Sequence, residues 1–270
     1  MLFNRKRLRL SEGERQAMRA ACRFNAQLMD VLRDFIRPGV TTESIDKLVY
    51  DFTTSHGHKC APFGYRGQQN APYPKSCCTS VNDVICHGVP GPLVLKDGDI
   101  VNVDCTSIVN GWHGDSSETF VVGTPGELAR RVVQCAHDAL WAAVDVCRPG
   151  ARMSDIGDAI VHRAKKDNFS VVEEYVGHGV GRQFHQPPTV PHYPTPEARR
   201  ARMEPGICFT IEPMINTGTK ETLLSKRDGW TVRTKDGGLS AQFEHSVMIT
   251  ESGVEVLTLS KKGPQRGQTF

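Results

Sequence analysis

A helix, the tripeptide Arg-Pro-Gly and a second helix are predicted twice in this chain of 270 residues. Arg37-Pro38-Gly39 recurs as Arg148-Pro149-Gly150 at an offset of 111 residues, and Ile45 recurs at the same offset as Ile156. Proline and glycine end a helix, and the apolar residues before and after each tripeptide follow a helical period. Strand-like sequence follows each helix pair. The repeat therefore predicts two similar halves related by a pseudo-two-fold axis.

Local signals place the helices and strands of an α+β fold. Ser11 and Glu14 form a capping box at the start of the first helix, and the second helix follows Thr41-Thr42 and ends near Gly57. The third and fourth helices begin near residues 128 and 154. Runs of strands kept apart from runs of helices are typical of α+β architecture. The predicted strands are residues 99–109, 112–122, 206–212 and 241–250.

The domain organisation is predicted to be simple. No linker rich in glycine, serine or proline separates the two halves, so residues 11–262 are expected to form a single domain. A basic, disordered N-terminus at residues 1–10 precedes it, and a tail at residues 263–270 follows it. Residues 62–74 are predicted to be a long surface loop.

Composition excludes several classes of function. A net charge of +3 is too small to favour nucleic acid. The one basic run, residues 4–9, reads as a solvated N-terminus, with RNA or another acidic surface as the alternative. No apolar stretch is long enough to span a bilayer, and no apolar region follows the basic start as in a secretory signal. The nine cysteines lie mostly in apolar patterns, which favours reduced thiols in a cytosolic protein.

Asn110-Gly111 is the strongest hairpin signal in the chain. A two-residue turn there places Asp104 opposite Ser117 and Asp115 opposite Thr106. Both aspartates then lie on one face of the hairpin, about 7–8 Å apart at the backbone. Two like charges with no Lys or Arg on that face favour a metal site over a solvated surface. The other face is predicted to be core and carries Val101, Val103, Cys105 and Val109.

Further ionisable residues in apolar or glycine-rich stretches could join the two aspartates. Taken singly, each histidine is best interpreted as a surface residue, and each glutamate could equally face solvent or belong to a site. Together, four carboxylates would repel one another unless cations balanced them, and carboxylate-rich sets with an imidazole are typical of two-metal hydrolases. From the residues alone, the predicted ligand set is Asp104, Asp115, His178, His185, Glu212 and Glu244.

Three other kinds of site are disfavoured. The chain contains neither the His-Glu-x-x-His motif nor the Gly-x-Ser-x-Gly nucleophile elbow. The glycine-rich segment around His178 lacks the Lys-Ser/Thr pair of a phosphate-binding loop. Cys86 and His87 are adjacent, and neighbouring residues of a strand point to opposite faces, so they form a poor catalytic dyad.

Several blocks of sequence resemble the type I methionine aminopeptidases. The match runs from about residue 12 to residue 260 in the expected order, and the separate blocks make it specific. The blocks are KSCCTSVNDVICHGVP (75–90), GDIVNVD (98–104), GWHGD (111–115), GHGVGR (177–182), TIEPM (210–214) and DGWTV (228–232).

This resemblance implies the "pita-bread" α+β fold, a pseudo-two-fold pair of αα-β halves around a curved antiparallel sheet. It implies that His87 and His185 contact substrate, which removes His185 from the ligand set and adds His87 to the site. It also implies five ligands for two divalent metal ions (Co, Mn, Fe or Zn), with Asp115 and Glu244 bridging. These ligands are Asp104, Asp115, His178, Glu212 and Glu244.

The implied activity is removal of the N-terminal methionine, when the second residue is small, from nascent polypeptides in the cytoplasm. Metal-activated water would attack the first peptide bond, with Glu212 as proton acceptor and shuttle and with His87 and His185 as hydrogen-bond donors. A monomer without DNA or membrane partners is expected, and a contact with the ribosome is left open. The walls of the methionine pocket are expected to be Tyr73, Cys78, Phe184 and Trp230.

The chain departs from the family pattern in two places. Extra residues near positions 66–71 lengthen the loop before Tyr73, and Gln186 stands where an acidic residue often follows the second histidine. Two alternatives remain open: a Xaa-Pro aminopeptidase or prolidase on the same fold, and a binding protein without catalysis. The first would carry an extra N-terminal domain, and the second would lack metal ligands.

Overall fold

The computed structural model describes residues 8–67 and 71–270. The helices of this part of the chain are α1 (Glu12–Phe35), α2 (Thr42–Ser55), α3 (Glu127–Val146), α4 (Ser154–Lys165) and α5 (Pro196–Arg200). The strands are β1 (Lys59–Cys60), β2 (Cys78–Val81), β3 (Val84–Cys86), β4 (Ile100–Val109), β5 (Trp112–Val121), β6 (Ser170–Val171), β7 (Gly177–Gly179), β8 (Gln186–Val190), β9 (Cys208–Ile211), β10 (Met214–Asn216), β11 (Thr222–Leu224), β12 (Val232–Thr234), β13 (Ser240–Gln242), β14 (His245–Ile249) and β15 (Val254–Val256).

The repeated helix pair is confirmed. Helices α1 and α2 are joined through the first Arg-Pro-Gly, and α3 and α4 through the second. Gly39 and Gly150 have φ angles of 90° and 81°, in the left-handed region that a residue with Cβ rarely adopts. Glycine at these two positions lets the chain reverse immediately after each long helix. At the start of α1, the Ser11 N–H donates to Glu14 Oε2 at 2.9 Å, as the capping box predicts.

The predicted hairpin register is confirmed at every pair. Asn110 and Gly111 both have positive φ, 51° and 80°, as a two-residue type I′ turn requires. Asp104 pairs with Ser117 and Thr106 pairs with Asp115 across β4 and β5. The residues predicted for the opposite face are buried, and α1 packs against both strands there. The hairpin thus has one apolar face under helices and one polar face that carries both aspartates.

The described strands form four antiparallel sheets. Strand β4 is flanked by β1, β2 and β5 in the first half, and the second half contains the order β15-β14-β9-β7-β8. Two three-stranded sheets, β13-β10-β6 and β11-β12-β3, complete the fold. Helix α3 packs against β9, β10 and β13. Each half therefore has its long helix behind the strands that carry the polar residues.

Two predicted strands are shorter than expected, for a shared reason. The strand predicted at 206–212 is Cys208–Ile211, and the strand predicted at 241–250 is divided into β13 and β14. Ile211 pairs with His245 in one sheet, and Met214 pairs with Gln242 in another. The two chain segments change sheets together, so the residues between the sheets leave the ladders. Glu212 and Glu244 lie at this change of partner.

The prediction that residues 62–74 form a surface loop is wrong for part of that segment. Tyr73 is only 3% exposed, and Pro62 is also buried. The Gly64 N–H donates to Tyr73 O at 2.9 Å, and the Tyr73 N–H donates to Tyr65 O at 2.7 Å. These bonds fold the described part of the loop back on itself and against the body of the protein.

All nine cysteines are free and buried, as expected for reduced thiols. No helix within residues 8–67 and 71–270 is both long and apolar enough to cross a bilayer. Most of the basic run at residues 4–9 lies outside the described residues, whereas Arg9 Nε donates to Glu204 Oε2 at 2.9 Å. The domain limits at residues 10/11 and 262/263 stay predictions.

Candidate metal centre

Five elements of the fold bring the predicted ligands to one cavity of about 520 Å³. Asp104 and Asp115 come from the hairpin β4–β5, and His178 from the middle of β7. Glu212 follows β9, and Glu244 lies between β13 and β14. Two ligands thus come from the first half of the molecule and three from the second. The site lies where the two halves meet.

The ligand atoms approach one another closely. One ligand atom each of Asp115, His178 and Glu244 lie within 4.8 Å of one another. His178 Nε2 is 3.7 Å from Asp115 Oδ2 and 3.5 Å from Glu212 Oε1. Nδ1 of the same ring lies 3.1 Å from Gly179 O, a contact that places the ring proton on Nδ1. Nε2 then carries a free lone pair that points toward the carboxylates.

Neighbouring polar side chains fix two of the carboxylates. Thr106 Oγ1 donates to Asp115 Oδ1 at 2.6 Å, and Thr210 Oγ1 donates to Glu212 Oε1 at 2.7 Å. Gln242 Nε2 donates to the other oxygen, Glu212 Oε2, at 3.3 Å. Partners of this kind orient metal ligands. Thr106 follows from the hairpin register, whereas Thr210 and Gln242 gave no separate signal in the sequence.

The glycines around His178 are required by close packing. A Cβ on Gly179 would lie 2.1 Å from Pro187 O, and one on Gly177 would lie 2.5 Å from Thr210 O. Strand β7 is held between β8 and β9 at these points. The glycines therefore let the neighbouring strands approach closely enough to bring the imidazole into the cavity.

The electrostatics of the cavity call for cations. Burial raises the pKa of Asp104 to about 7. Burial and the neighbouring carboxylates raise the pKa values of Asp115, Glu212 and Glu244 well above their ordinary range. No Lys or Arg is among the described residues that line the cavity. Carboxylate oxygens and one neutral imidazole are donors that divalent metal ions accept, so the residues present fit such ions.

The two further histidines lie beside the ligands. The His185 ring is 4.2 Å from the His178 ring, and the His87 ring packs edge-on against Tyr175 at 5.4 Å. Burial lowers the pKa of His87 to about 4 and, with the nearby histidines, that of His185 to about 3. Both rings are therefore neutral at pH 7 and keep one N–H donor each.

Cys86 and His87 are positioned differently from the prediction. Both line the cavity, because β3 ends at Cys86 and His87 has a positive φ of 56° that breaks the alternation of side chains. Burial raises the pKa of the Cys86 thiol well above its usual range. A protonated thiol is a poor nucleophile, so the expectation against a Cys–His dyad keeps its physical support.

Aromatic rings form the remaining wall of the cavity. The rings of Tyr73 and Trp230 meet edge-on at 5.2 Å, with Cys78 in the same apolar cluster. Phe184 stacks on His185 at 4.1 Å. All four residues predicted for the methionine pocket line this cavity.

Sequence reasoning missed two aromatic residues of the cavity. Tyr65 lies 5.1 Å from Phe184 and 5.0 Å from His185, and Tyr175 packs on His87. Tyr65 belongs to the loop with extra residues, where the family pattern could not be followed. The sequence signal for Tyr65 was its aromatic ring in a loop that was otherwise predicted to be exposed, because such a ring favours packing against other side chains.

Comparison with known proteins agrees with the fold and with a metal-dependent peptidase. The family model described as metallopeptidase family M24 matches residues 16–251. The chain therefore belongs to metallopeptidase family M24.

Several relatives of the chain are methionine aminopeptidases. Methionine aminopeptidase A of Synechocystis sp. is 47% identical over 253 residues, which cover 93% of this chain and 97% of that protein. The crystal structure of methionine aminopeptidase from Rickettsia prowazekii has a TM-score of 0.88 at 45% identity, covering 93% of this chain and 99% of that one. The prolidase from Pyrococcus horikoshii, at 20% identity and a TM-score of 0.73, shares the fold and is matched over 65% of its length.

Proposed function

We propose that this metallopeptidase removes the N-terminal methionine from polypeptides whose second residue is small. The observation that supports it most is the meeting of three sets of residues in one cavity. These are the carboxylate-imidazole cluster, two neutral histidines and an aromatic wall. The similarity to methionine aminopeptidases over nearly the whole chain agrees with this activity.

The five clustered residues would hold two divalent metal ions, drawn from Co, Mn, Fe and Zn. Divalent ions bound in such a set lower the pKa of water and polarise a peptide carbonyl. The choice of ion is expected to follow cellular supply, because oxygen donors with one imidazole accept several metals. The ligands are Asp104, Asp115, His178, Glu212 and Glu244.

Glu212 is proposed to accept a proton from the attacking water and to pass it to the leaving amine. Its side chain is held from both sides by Thr210 and Gln242. Burial, together with the other carboxylates, raises its pKa in the metal-free cavity, which makes it a stronger base than an ordinary glutamate. An oriented carboxylate with a raised pKa is suited to both steps.

His87 and His185 are proposed to donate hydrogen bonds to the substrate as negative charge develops on the carbonyl oxygen. Both are neutral N–H donors at pH 7, and both face the same cavity as the ligands. The ring of His185 is held between Phe184 and Tyr65. A donor fixed in this way needs little reorganisation during the reaction.

The methionine side chain is proposed to lie against the aromatic wall. A thioether makes favourable contacts with aromatic rings, and its unbranched chain fits an irregular apolar space. Trp230 is held by the loop with extra residues, because its Nε1–H donates to Ala71 O at 3.2 Å. The described part of this loop, which includes Tyr65 and Tyr73, is therefore proposed to complete the methionine pocket.

The physiological substrates are proposed to be the N-termini of nascent polypeptides, cleaved during translation by a cytoplasmic monomer. The free α-amine of the substrate would lie at the carboxylate cluster, which makes the enzyme an exopeptidase. The nine free, buried cysteines support a reducing compartment.

The test is hydrolysis of a Met-Ala-Ser peptide by protein loaded with each divalent metal in turn. Release of free methionine is expected, and Asp115→Asn should reduce turnover to background while circular dichroism shows a folded protein. Turnover of Ala-Pro peptides instead would show the Xaa-Pro specificity. Binding of peptides with no hydrolysis under any metal would show a non-catalytic protein.

A further inference from the structure

Residues 261–270, called the clasp below, connect the long helices of the two halves. At one end, the backbone N–H groups of Lys261 and Lys262 donate to the Asp30 carboxylate on α1, at 3.1 and 2.8 Å. At the other end, the Gln134 side chain on α3 donates to Gln268 O at 3.0 Å and accepts from the Phe270 N–H at 3.1 Å. The clasp is thus fixed to both helices through its backbone.

The helices joined in this way support different parts of the metal centre. Helix α1 packs on the hairpin that carries Asp104 and Asp115. Helix α3 packs on β9 and β13, the strands that lead to Glu212 and Glu244. A connection between α1 and α3 therefore restricts the distance between the two aspartates and the two glutamates.

The clasp also contacts the segment that carries one ligand. The Phe270 ring lies 5.5 Å from Phe243 and 5.2 Å from His137, and the latter two rings are 5.3 Å apart. Phe243 directly precedes Glu244, at the point where the chain leaves one sheet for the next. The Glu244 N–H donates to Ser117 O at 2.9 Å. The contacts of Phe270 and His137 with Phe243 thus help to hold Glu244 against the hairpin.

A small chamber of about 20 Å³ separates the clasp from the active-site cavity. Glu244 lines both spaces, and Pro264 of the clasp lines the chamber. Loss of the clasp would admit solvent behind a carboxylate that is only 3% exposed.

We propose that the clasp is a positioning element of the metal centre, which holds Glu244 in place through the Phe243–His137–Phe270 contact and ties α1 to α3. This proposal rests on the metal centre of the proposed function. Outer partners that orient ligands affect metal affinity about 10–100-fold when they are removed.

Two variants loosen the end of the clasp that lies on α3. Gln134→Ala removes both hydrogen bonds to the clasp, and alanine preserves the helix. Phe270→Ala removes the ring that backs Phe243, and Phe270→Leu restores apolar volume there. Arg266→Ala is the control for a surface contact of the clasp, because it removes only an exposed ion pair with Asp145 of α3, and such pairs contribute little to stability.

The readouts are metal affinity by titration calorimetry with Mn²⁺ and hydrogen exchange of the Glu244 amide. Gln134→Ala and Phe270→Ala should weaken Mn²⁺ affinity by about tenfold and speed exchange at Glu244, with recovery in Phe270→Leu and no change in Arg266→Ala. Ile45→Val, a fully buried position on α2, serves as a destabilised control whose Mn²⁺ affinity should not change.

The outcomes separate this proposal from the function itself. Wild-type affinity in both clasp variants would overturn the positioning role, as would an equal loss in Ile45→Val. Wild-type protein that binds no divalent ion would instead overturn the metal centre on which the proposed function depends.

Discussion

Binding of a divalent metal ion is expected to release protons from the carboxylate cluster at pH 6. Asp104 has a pKa of about 7 in the metal-free cavity, because burial disfavours its charged form. At pH 6 such a group carries about 0.9 proton, and at pH 8 about 0.1. The ion binds the deprotonated form, so this proton must leave. His178, with a pKa lowered by burial to about 4, is already neutral in this range and releases none.

The expected magnitude at pH 6 is therefore at least about 0.9 proton per protein. It is a lower limit, because the pKa values of Asp115, Glu212 and Glu244 are also raised. For each proton released, affinity should fall about tenfold per pH unit below the pKa. Calorimetric titration with Mn²⁺ at pH 6, in buffers of different ionisation enthalpy, directly gives the number of protons released on binding. Near-zero release together with equal affinity at pH 6 and pH 8 would refute the argument that burial raises these pKa values.

The same pKa shifts determine whether the folding stability of the metal-free protein rises or falls with pH. The folded pKa of Asp104, about 7, exceeds its ordinary value of 3.8, so the folded state binds more protons than the unfolded state between these values. Stability contributed by this group is present at low pH and is lost as pH rises through about 7. Histidines with lowered pKa values act in the opposite direction, and their effect extends above pH 6.5 because an unfolded histidine still holds about half a proton at that pH. Thermal unfolding of chelated wild-type protein and of Asp104→Asn from pH 5 to 8 isolates the contribution of this group, because both proteins share the histidines. The stability of the wild type relative to the variant should fall as pH rises, and a constant difference would contradict the raised pKa.

Two further predictions concern individual residues. His185→Ala should lower kcat about 10²–10³-fold on Met-Ala-Ser, because it removes a donor to the developing oxyanion; steady-state kinetics showing a change confined to KM would contradict that role. Gly179→Ala should cost about 1–3 kcal/mol of stability, because its Cβ would lie 2.1 Å from Pro187 O. It should also weaken Mn²⁺ binding by displacing His178, whereas Gly253→Ala, with nothing within 4 Å of its Cβ, should be neutral. Denaturant melts and calorimetry check both, and an intact Gly179→Ala site would show that β7 tolerates the shift.

Much of the first half of the site could be predicted from local sequence. The Asn110-Gly111 turn fixes the hairpin register, and the period of two then puts Asp104 and Asp115 on one face. The roles of His87 and His185 were suggested by family resemblance alone. No local pattern distinguishes a histidine that binds metal from one that binds substrate, since both lie beside glycine or aromatic residues.

The helix pairs, their Arg-Pro-Gly connections and the hairpin follow from local sequence, because each depends on the backbone preferences of a few adjacent residues. The directions of Glu212 and Glu244 depend on long-range contacts, because both residues lie where two strands exchange partners and no ladder continues. The same holds for the contact of Tyr65 with His185 and for the packing of residues 261–270 on α1 and α3. These contacts join segments that are distant in the chain. They are stabilised by close packing, which the periodicity of a short segment does not predict.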